Sequence, residues 1–377
     1  MAKFGSVLVT GGAGFIGSHV VDLLLQEGYR VTIIDSLDPQ VHGLERKIPA
    51  YLDKSSSIVV DDVRNKKQLA IALRNVDAII HLAATVGVGQ SMYQIERYVD
   101  SNTRGTAVLL DLLVNREHGV SKLVVASSMS VYGEGKYYCD NCNSFQTPRL
   151  REIDPKSRDW DHHCETCKGP LKPVPTDEET HLRPTSLYAM SKRHQEEMSL
   201  LIGRTYGLPT IALRFFNVYG PRQALSNPYS GAMTIFLNRI LNGKQPHIFE
   251  DGNQLRDFIH VKEIARSCLL ALTRHEADYS AINIGTGNPT SILQVANSLI
   301  QICKADLRPS VSNQFRRGDI RHCYADVRKA RELLGFQSNV TLLTALSELV
   351  DWAKVDVIRG SDVFEKALKE LQEKRLA

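Results

Sequence analysis

Thr10-Gly-Gly-Ala-Gly-Phe-Ile-Gly17 joins an apolar strand to a helix, and the architecture of the chain follows from that junction. Before it lies Ser6-Val-Leu-Val9, with strand character, and after it Phe15 to Glu27, with the pattern of a helix. Gly11, Gly14 and Gly17 keep a Gly-x-x-Gly-x-x-Gly spacing. Glycines at such a turn let the backbone bend tightly and come close to a pyrophosphate, which the N–H groups and partial positive charge of the helix N-terminus attract. Arg30-Val-Thr-Ile-Ile-Asp35 is a second strand. Asp77-Ala-Ile-Ile-His-Leu82, Lys122-Leu-Val-Val-Ala-Ser127 and Thr210-Ile-Ala-Leu-Arg-Phe-Phe216 are later ones, with helical stretches between. Near-continuous apolar strands alternating with helices predict α/β architecture: a Rossmann-type, doubly wound parallel sheet covered on both faces.

Asp35 closes the second strand, where a carboxylate suits two ribose hydroxyls and repels a 2′-phosphate. Ser36-Leu37 brings no arginine beside it, so NAD is expected rather than NADP. Phe15 and Ile16 sit at the helix start beneath the pyrophosphate. Asp62, followed by Val63, lies at a strand end within reach of an adenine amino group. Leu82, Ala83 and Ala84 close another strand with small side chains that leave room for the cofactor.

A second constellation carries the chemistry. Tyr188-Ala-Met-Ser-Lys192 puts a phenol and an ammonium one helical turn apart on one face. The ammonium, with a positive nicotinamide ring, lowers the phenol's pKa, and the resulting tyrosinate can take a proton from a sugar hydroxyl. Ala126-Ser-Ser-Met-Ser-Val-Tyr-Gly133 sets hydroxyls just past a strand's C-terminal end, where open α/β sheets carry their sites, and Ser128 can hold the same sugar hydroxyl.

With 377 residues the chain has enough length for two lobes. The net charge of +4 comes without a basic stripe, so no nucleic-acid partner is expected. No signal peptide and no membrane-spanning apolar run are read, which gives an expectation of a cytoplasmic protein without membrane attachment. After Gly220-Pro221 loops lengthen and helices such as Met233 to Asn242 appear. Asp326 to Leu334 has an N-cap and a glycine stop at Gly335, and Phe364, Leu368 and Leu371 mark a surface helix. Lys136 to Glu179 is polar, holds four of the seven cysteines and looks inserted. The expected division is residues 1–135 and 180–220 for the NAD-binding domain, 136–179 for the insertion and 221–377 for a smaller, mainly substrate-binding α/β lobe.

In the insertion, Cys139-x-x-Cys142 and Cys164-x-x-Cys167 have spacing close to that of zinc ribbons. Four thiolates leave no open coordination position, so a bound zinc would be structural, and it would supply folding energy to a segment poor in apolar residues. Two disulfides or a metal-free loop are the competing readings. His162 and His163 are spare ligands.

These motifs together resemble the extended short-chain dehydrogenase/reductase superfamily, specifically its NAD-dependent nucleotide-sugar epimerase/dehydratase family. The resemblance runs from Val7 to about Trp352 apart from the insertion, and includes Asn102-Thr-Arg-Gly-Thr106, Arg214-Phe-Phe-Asn-Val-Tyr-Gly-Pro221, Arg256-Asp-Phe-Ile-His-Val261 and Arg316-Arg-Gly-Asp319. It implies a Ser128–Tyr188–Lys192 triad, contact of Asn102, Tyr188 and Lys192 with the cofactor, and contact of Ser128, Asn217, Arg256 and Arg316 with a nucleotide-diphosphate sugar. Guanidinium forks match phosphate oxygens. Related dehydratases carry Asp-Glu directly after the catalytic hydroxyl, and related decarboxylases a nearby Glu; here Met129 and Ser130 stand instead. The resemblance therefore implies C4 epimerisation through a transient 4-keto sugar. Gly220 to Gly231 and the insertion are most similar to bacterial dTDP-L-rhamnose 4-epimerases, with UDP-glucose 4-epimerases next. A lyase and a non-catalytic NAD-binding regulator are the rivals, and the resemblance implies a homodimer.

Overall fold

Parallel strands form the centre of the computed structural model, which describes residues 5–151, 158–225, 227, 229, 231–316, 318–356 and 363–376. The strands are β1 (Ser6–Thr10), β2 (Arg30–Asp35), β3 (Ser57–Val60), β4 (Ala78–His81), β5 (Lys122–Ser128), β6 (Lys136–Cys139), β7 (Ser144–Gln146), β8 (Lys172–Val174), β9 (Thr210–Phe215), β10 (Asn217–Tyr219), β11 (His247–Ile248), β12 (Leu255–His260), β13 (Ser280–Ile284), β14 (Pro289–Ser291), β15 (Ser310–Val311) and β16 (His322–Cys323). The helices are α1 (Phe15–Gln26), α2 (Pro39–His42), α3 (Lys66–Ala72), α4 (Val88–Ser91), α5 (Ile95–Tyr98), α6 (Gly105–Asn115), α7 (Leu187–Tyr206), α8 (Ala232–Leu241), α9 (Val261–Thr273), α10 (Ile292–Cys303), α11 (Arg328–Leu334), α12 (Leu342–Asp356) and α13 (Val363–Glu373).

The main sheet has the order β13-β9-β5-β4-β1-β2-β3. Its neighbours all pair in parallel, with Val9 opposite both Ile33 and Ile80. Val7, Leu8 and Val9 are wholly buried because both faces are covered. On one face Val20, Val21 and Leu24 of α1 meet Ile264, Cys268 and Leu272 of α9. On the other, Leu69 of α3 and Leu109 and Leu113 of α6 pack on Leu8, Ile34 and Ile79. Strand order reverses between β1 and β4, which opens a crevice at their C-terminal ends.

The chain beyond Gly220 builds two things. Helices α8, α10 and α12 share a separate core with Tyr219, Phe236, Leu299 and Leu349. Yet β13 returns to the main sheet beside β9, and α9 lies against α1. The apolar pattern after Gly220 does not announce this return, because two of the five residues of β13, Ser280 and Asn283, are polar. Smaller sheets are β10-β12-β14 with β16 on β12, β11-β15, and β7-β6-β8 in the cysteine-bearing segment. Helix α11 starts at Arg328, whose N–H donates to the Asp326 carboxylate at 3.0 Å, and stops at Gly335 with φ +64°. The tail helix α13 buries Ala367 and Leu371. Among the described residues no helix is long and apolar enough to cross a membrane. Residues 152–157, Ser226, Pro228, Ser230 and Arg317, all within stretches singled out above, lie outside the described residues.

The first glycine turn is the most crowded part of this frame. A Cβ on Gly17 would lie 2.1 Å from the Gly11 carbonyl oxygen and 2.7 Å from Gly12 Cα, whereas one on Gly14 would meet only the Gly11 oxygen, at 3.4 Å. Backbone on both sides leaves α1 no cheap way to move. Thermal unfolding should show Gly17→Ala destabilised by about 2 kcal/mol or more and Gly14→Ala by about 1 kcal/mol or less; equal losses would contradict this packing.

Candidate active site

The crevice at the switch point is lined by the first glycine turn and the end of β4. Gly11 has φ +71°, and a Cβ there would stand 2.9 Å from Ala83 N, so the two strand ends touch through backbone alone. Thr10 Oγ1 ties them further, accepting from Leu82 N at 3.2 Å and Ala83 N at 3.1 Å. Gly14 caps α1 without a side-chain hydrogen bond, and the first turn holds no acid, so the N–H groups around Phe15 and Ile16 are left to attract a phosphate. Asp35 ends β2 with its carboxylate buried, accepting from Ala13 N at 3.0 Å and Leu37 N at 2.9 Å. The residues present therefore fit a dinucleotide: a backbone-only turn, an uncapped helix start and a fixed carboxylate on the ribose side.

Two details depart from the sequence pattern. An arginine does reach the segment after Asp35: Arg46 donates to the carbonyls of Ser36 at 2.6 Å and Leu37 at 3.3 Å. It comes from ten residues further on, which adjacency in sequence cannot reveal. Asp62 is already forked by Arg64, at 2.8 and 2.6 Å, and Arg64 also pairs with Asp100. Its neighbour Val63 is packed in the core. Ala84 follows Ala83 in the strand-end segment, half-buried. Asn102 is wholly buried and acts as a brace. Its Oδ1 accepts from Thr85 N at 2.7 Å, and its Nδ2 donates to Ser191 Oγ of α7 at 2.9 Å.

The hydroxyl and the phenol come together as the motifs suggest. Ser128 ends β5 and receives Ser130 N–H at 3.2 Å and the Ser130 hydroxyl at 2.9 Å. Burial raises the Tyr188 phenol above its ordinary range, and a hydrogen bond with Ser128 opposes the rise. Lys192 is buried, and desolvation pulls its ammonium down to about 7, with Glu196 opposing. Its Nζ donates to Gln195 Oε1 at 2.7 Å, so in this arrangement the pull on the phenol comes from Ser128. Gln195 continues a buried chain: its Nε2 donates to Thr106 Oγ1 at 2.7 Å, Thr106 meets His81 Nε2 at 2.9 Å, and His81 Nδ1 meets Thr10 at 2.7 Å. Burial lowers His81 to about 3, so it is a neutral imidazole that donates through one nitrogen and accepts through the other. Sequence reasoning missed Gln195 as the partner of Lys192; its one signal was its place three residues further along the same helix face.

On the substrate side, Asn217 Oδ1 is buried with no hydrogen bond among the described residues. Arg256 donates to the carbonyls of Leu255, Arg321 and Ile320, at 2.8, 2.9 and 2.6 Å. Arg316 is forked onto Asp319 at 2.9 and 2.7 Å and lies over the Phe249 ring. Arg316, Gly318 and Asp319 share a crevice with Val88, Thr185 and Ser186, next to the start of the tyrosine helix, and Leu371 and Leu376 of the tail close it. A broad groove lies elsewhere, at the N-terminal edge of the sheet around Ser6, Tyr29 and Arg30, and contains none of the predicted residues.

The four paired cysteines converge. Their sulfurs all lie within 4.8 Å of one another, with Cys139–Cys167 at 3.5 Å and Cys142–Cys164 at 3.7 Å. These separations are far from the roughly 2 Å of a disulfide and close to the roughly 3.8 Å between sulfurs around a tetrahedral zinc with 2.3 Å bonds. Gln146 Nε2 donates to Cys164 Sγ at 3.0 Å, and Asn141 Nδ2 to Cys167 Sγ at 3.8 Å. The histidines are engaged elsewhere: His162 lies 3.2 Å from Glu134, and His163 3.7 Å from Asp159.

Known proteins resemble this chain in sequence and fold. The model of the NAD dependent epimerase/dehydratase family matches residues 7–152 and 162–285. A dTDP-L-rhamnose 4-epimerase of Burkholderia thailandensis is 32% identical over 94% of this chain and 96% of its own length. A putative UDP-glucose 4-epimerase of Methanocaldococcus jannaschii is 33% identical over 92% and 98%. The crystal structure of a UDP-glucose 4-epimerase from Thermotoga maritima with UDP-glucose superposes with a TM-score of 0.75 at 30% identity, covering 93% of this chain and 99% of that one. A parallel sheet in this order, a glycine turn at its switch point, and matches along nearly the full length place the chain in the NAD dependent epimerase/dehydratase family, as an enzyme of the extended short-chain dehydrogenase/reductase type.

Proposed function

We propose that the protein is an NAD-dependent 4-epimerase of a nucleotide-diphosphate sugar, acting through a transient 4-keto sugar, with dTDP-L-rhamnose as the foremost substrate. The observation that carries this reading is the Ser128–Tyr188 pair, with Met129 and Ser130 in place of carboxylates directly after Ser128. Met129 is buried and Ser130 is bonded to Ser128. The two acids that adjoin these elements are committed: Glu134 to Arg151 and His162, and Glu196 to Arg214 and Ser127. Water elimination and decarboxylation need such groups; oxidation and reduction at one carbon do not.

Bound NAD would supply the hydride acceptor and donor. The turn from Gly11 to Gly17 would hold its pyrophosphate, and Asp35 its ribose. Tyr188 would take the proton of the sugar's 4-hydroxyl and later return it, while Ser128 orients that hydroxyl. Lys192, held by Gln195 in this arrangement, would favour the tyrosinate on turning to the phenol. Asn217, through its amide NH2, and Arg256 and Arg316 would hold the diphosphate. UDP-glucose is the second substrate to consider, since one relative is a putative UDP-glucose 4-epimerase and a superposing structure holds UDP-glucose.

We further propose a structural zinc on Cys139, Cys142, Cys164 and Cys167, supported by the sulfur separations above. Metal analysis of protein purified without chelator should find one zinc per chain, lost in Cys142→Ser with Cys164→Ser; zinc-free protein with four reactive thiols would refute the site. Tyr188→Phe should keep NAD and lose at least about 100-fold in turnover. Undiminished turnover would refute the assigned base. Given dTDP-L-rhamnose and UDP-glucose separately, proton NMR should show C4 inversion, with the rhamnose nucleotide the faster substrate; no C4 inversion of either would refute the epimerase reading.

A further inference from the structure

The cysteine-bearing insertion meets the substrate side of the molecule through a buried charge cluster that the reaction does not use. Arg151 and Arg321, 8% and 2% exposed, lie among Glu134 and Glu250, 1% and 0% exposed. Arg151 donates to Glu250 Oε2 at 3.1 Å and Oε1 at 2.8 Å, to Glu134 Oε1 at 3.3 Å and to the Trp160 carbonyl at 2.7 Å. Arg321 donates to Glu250 at 3.0 Å, to Asp251 at 2.6 and 2.9 Å and to Asp161 at 2.8 Å. Buried charges are costly unless fully paired, and removing one partner of such a cluster typically costs several kcal/mol. Glu250 moreover holds φ +55°, a backbone conformation that side chains other than glycine rarely adopt, so its place is bought by its surroundings.

Several of the cluster's contacts fall on one short segment. Arg151 lies over the Phe315 ring, 5.4 Å away, and donates to the Asp319 carbonyl at 3.4 Å. It thus grips both ends of the turn that carries Arg316 and its partner Asp319. Glu134 accepts from the backbone N–H of Arg321 at 2.5 Å. The carbonyls of Ile320 and Arg321, fixed in this way, are the acceptors that hold the Arg256 guanidinium. Arg151, Asp161 and Trp160 come from the cysteine-bearing segment, and Glu134 from the turn just before it.

We propose that the insertion is a positioning clamp for phosphate recognition: Arg151, through Glu134 and Glu250, sets Phe315, Arg316 and residues 318–321 so that Arg256 and Arg316 converge on the substrate diphosphate. This rests on the assignment of those two arginines to the diphosphate. Arg151 touches no substrate and is a positioning residue. Preorganised guanidinium forks gain affinity because less freedom is lost on binding, so the clamp should act on substrate affinity and leave the proton and hydride chemistry at Tyr188 alone.

The test compares Arg316→Ala, Arg151→Met, Arg151→Lys and Glu250→Gln in the full-length, NAD-loaded protein, with dTDP and UDP as calorimetric probes and the steady-state KM and kcat of whichever nucleotide sugar turns over. Arg151→Met should raise the Kd for the tighter-binding nucleotide and the KM by about 10-fold or more (1.4 kcal/mol per tenfold), with kcat within about 3-fold and NAD content unchanged; Arg151→Lys, which keeps the charge but loses the fork, should fall between. A merely structural role would lower NAD content and kcat along with affinity, without rescue by lysine, and would overturn the proposal. Should Arg151→Met not fold, Glu250→Gln, close in shape, carries the same prediction. If Arg316→Ala weakens binding but the Arg151 and Glu250 variants do not, the clamp is refuted and the diphosphate assignment stands. If Arg316→Ala leaves binding unchanged, the assignment itself fails and the clamp with it.

Discussion

The buried pair of Glu196 and Arg214 governs the geometry of the reactive centre. Glu196 belongs to α7, Arg214 to β9, and Ser127 on β5 adds its hydroxyl to the same carboxylate at 2.6 Å. Arg214 also donates to Tyr132 Oη at 2.7 Å, and Tyr132 to Asn283 of β13 at 2.7 Å. One charge pair therefore ties three strands of the sheet to the helix that carries Tyr188 and Lys192. Ser128 follows Ser127 directly, so the distance between hydroxyl and phenol is set by groups that never meet a substrate. A pair of this kind is tolerated in the interior because every oxygen of the carboxylate is used.

The same logic extends outward from the sheet. At the switch point, backbone contact between Gly11 and Ala83 brings two strand ends close enough to share one ligand. The chain from Thr10 through His81, Thr106 and Gln195 then leads from that contact to Lys192 without a charged group except the lysine. On the opposite side Arg256 is held by carbonyls and Arg316 by Asp319, whose own carbonyl is met by Arg151 of the insertion. The tyrosine helix and the two arginines thus rest on separate buried networks.

Much of this was legible in the residues. Patterns that depend on local geometry came through: the glycine turn, the carboxylate at the end of β2, the run of buried strands, and the pairing of tyrosine and lysine on one helix face. The cysteine pairs announced their own convergence through spacing. What stayed hidden depends on contacts between distant segments. Arg46 approaches Ser36 across a loop, Arg64 occupies Asp62, and Glu250 meets Arg151 from 99 residues away. Buried ion pairs of this sort have no periodicity, and each partner taken alone reads as an ordinary surface charge. The strand β13 was obscured for a related reason: its pairing beside β9 compensates for a sequence, Ser-Ala-Ile-Asn-Ile, too polar to read as a strand unaided.

The central claim is that one carbon of the sugar is oxidised and reduced within the site, with no proton drawn from solvent onto carbon. Turnover of the nucleotide sugar in deuterium oxide tests this most directly, read by mass spectrometry and proton NMR of the product. Inversion at C4 with no deuterium on any ring carbon is the result this account predicts. Deuterium at a ring carbon, or a product lighter by water or carbon dioxide, would contradict it.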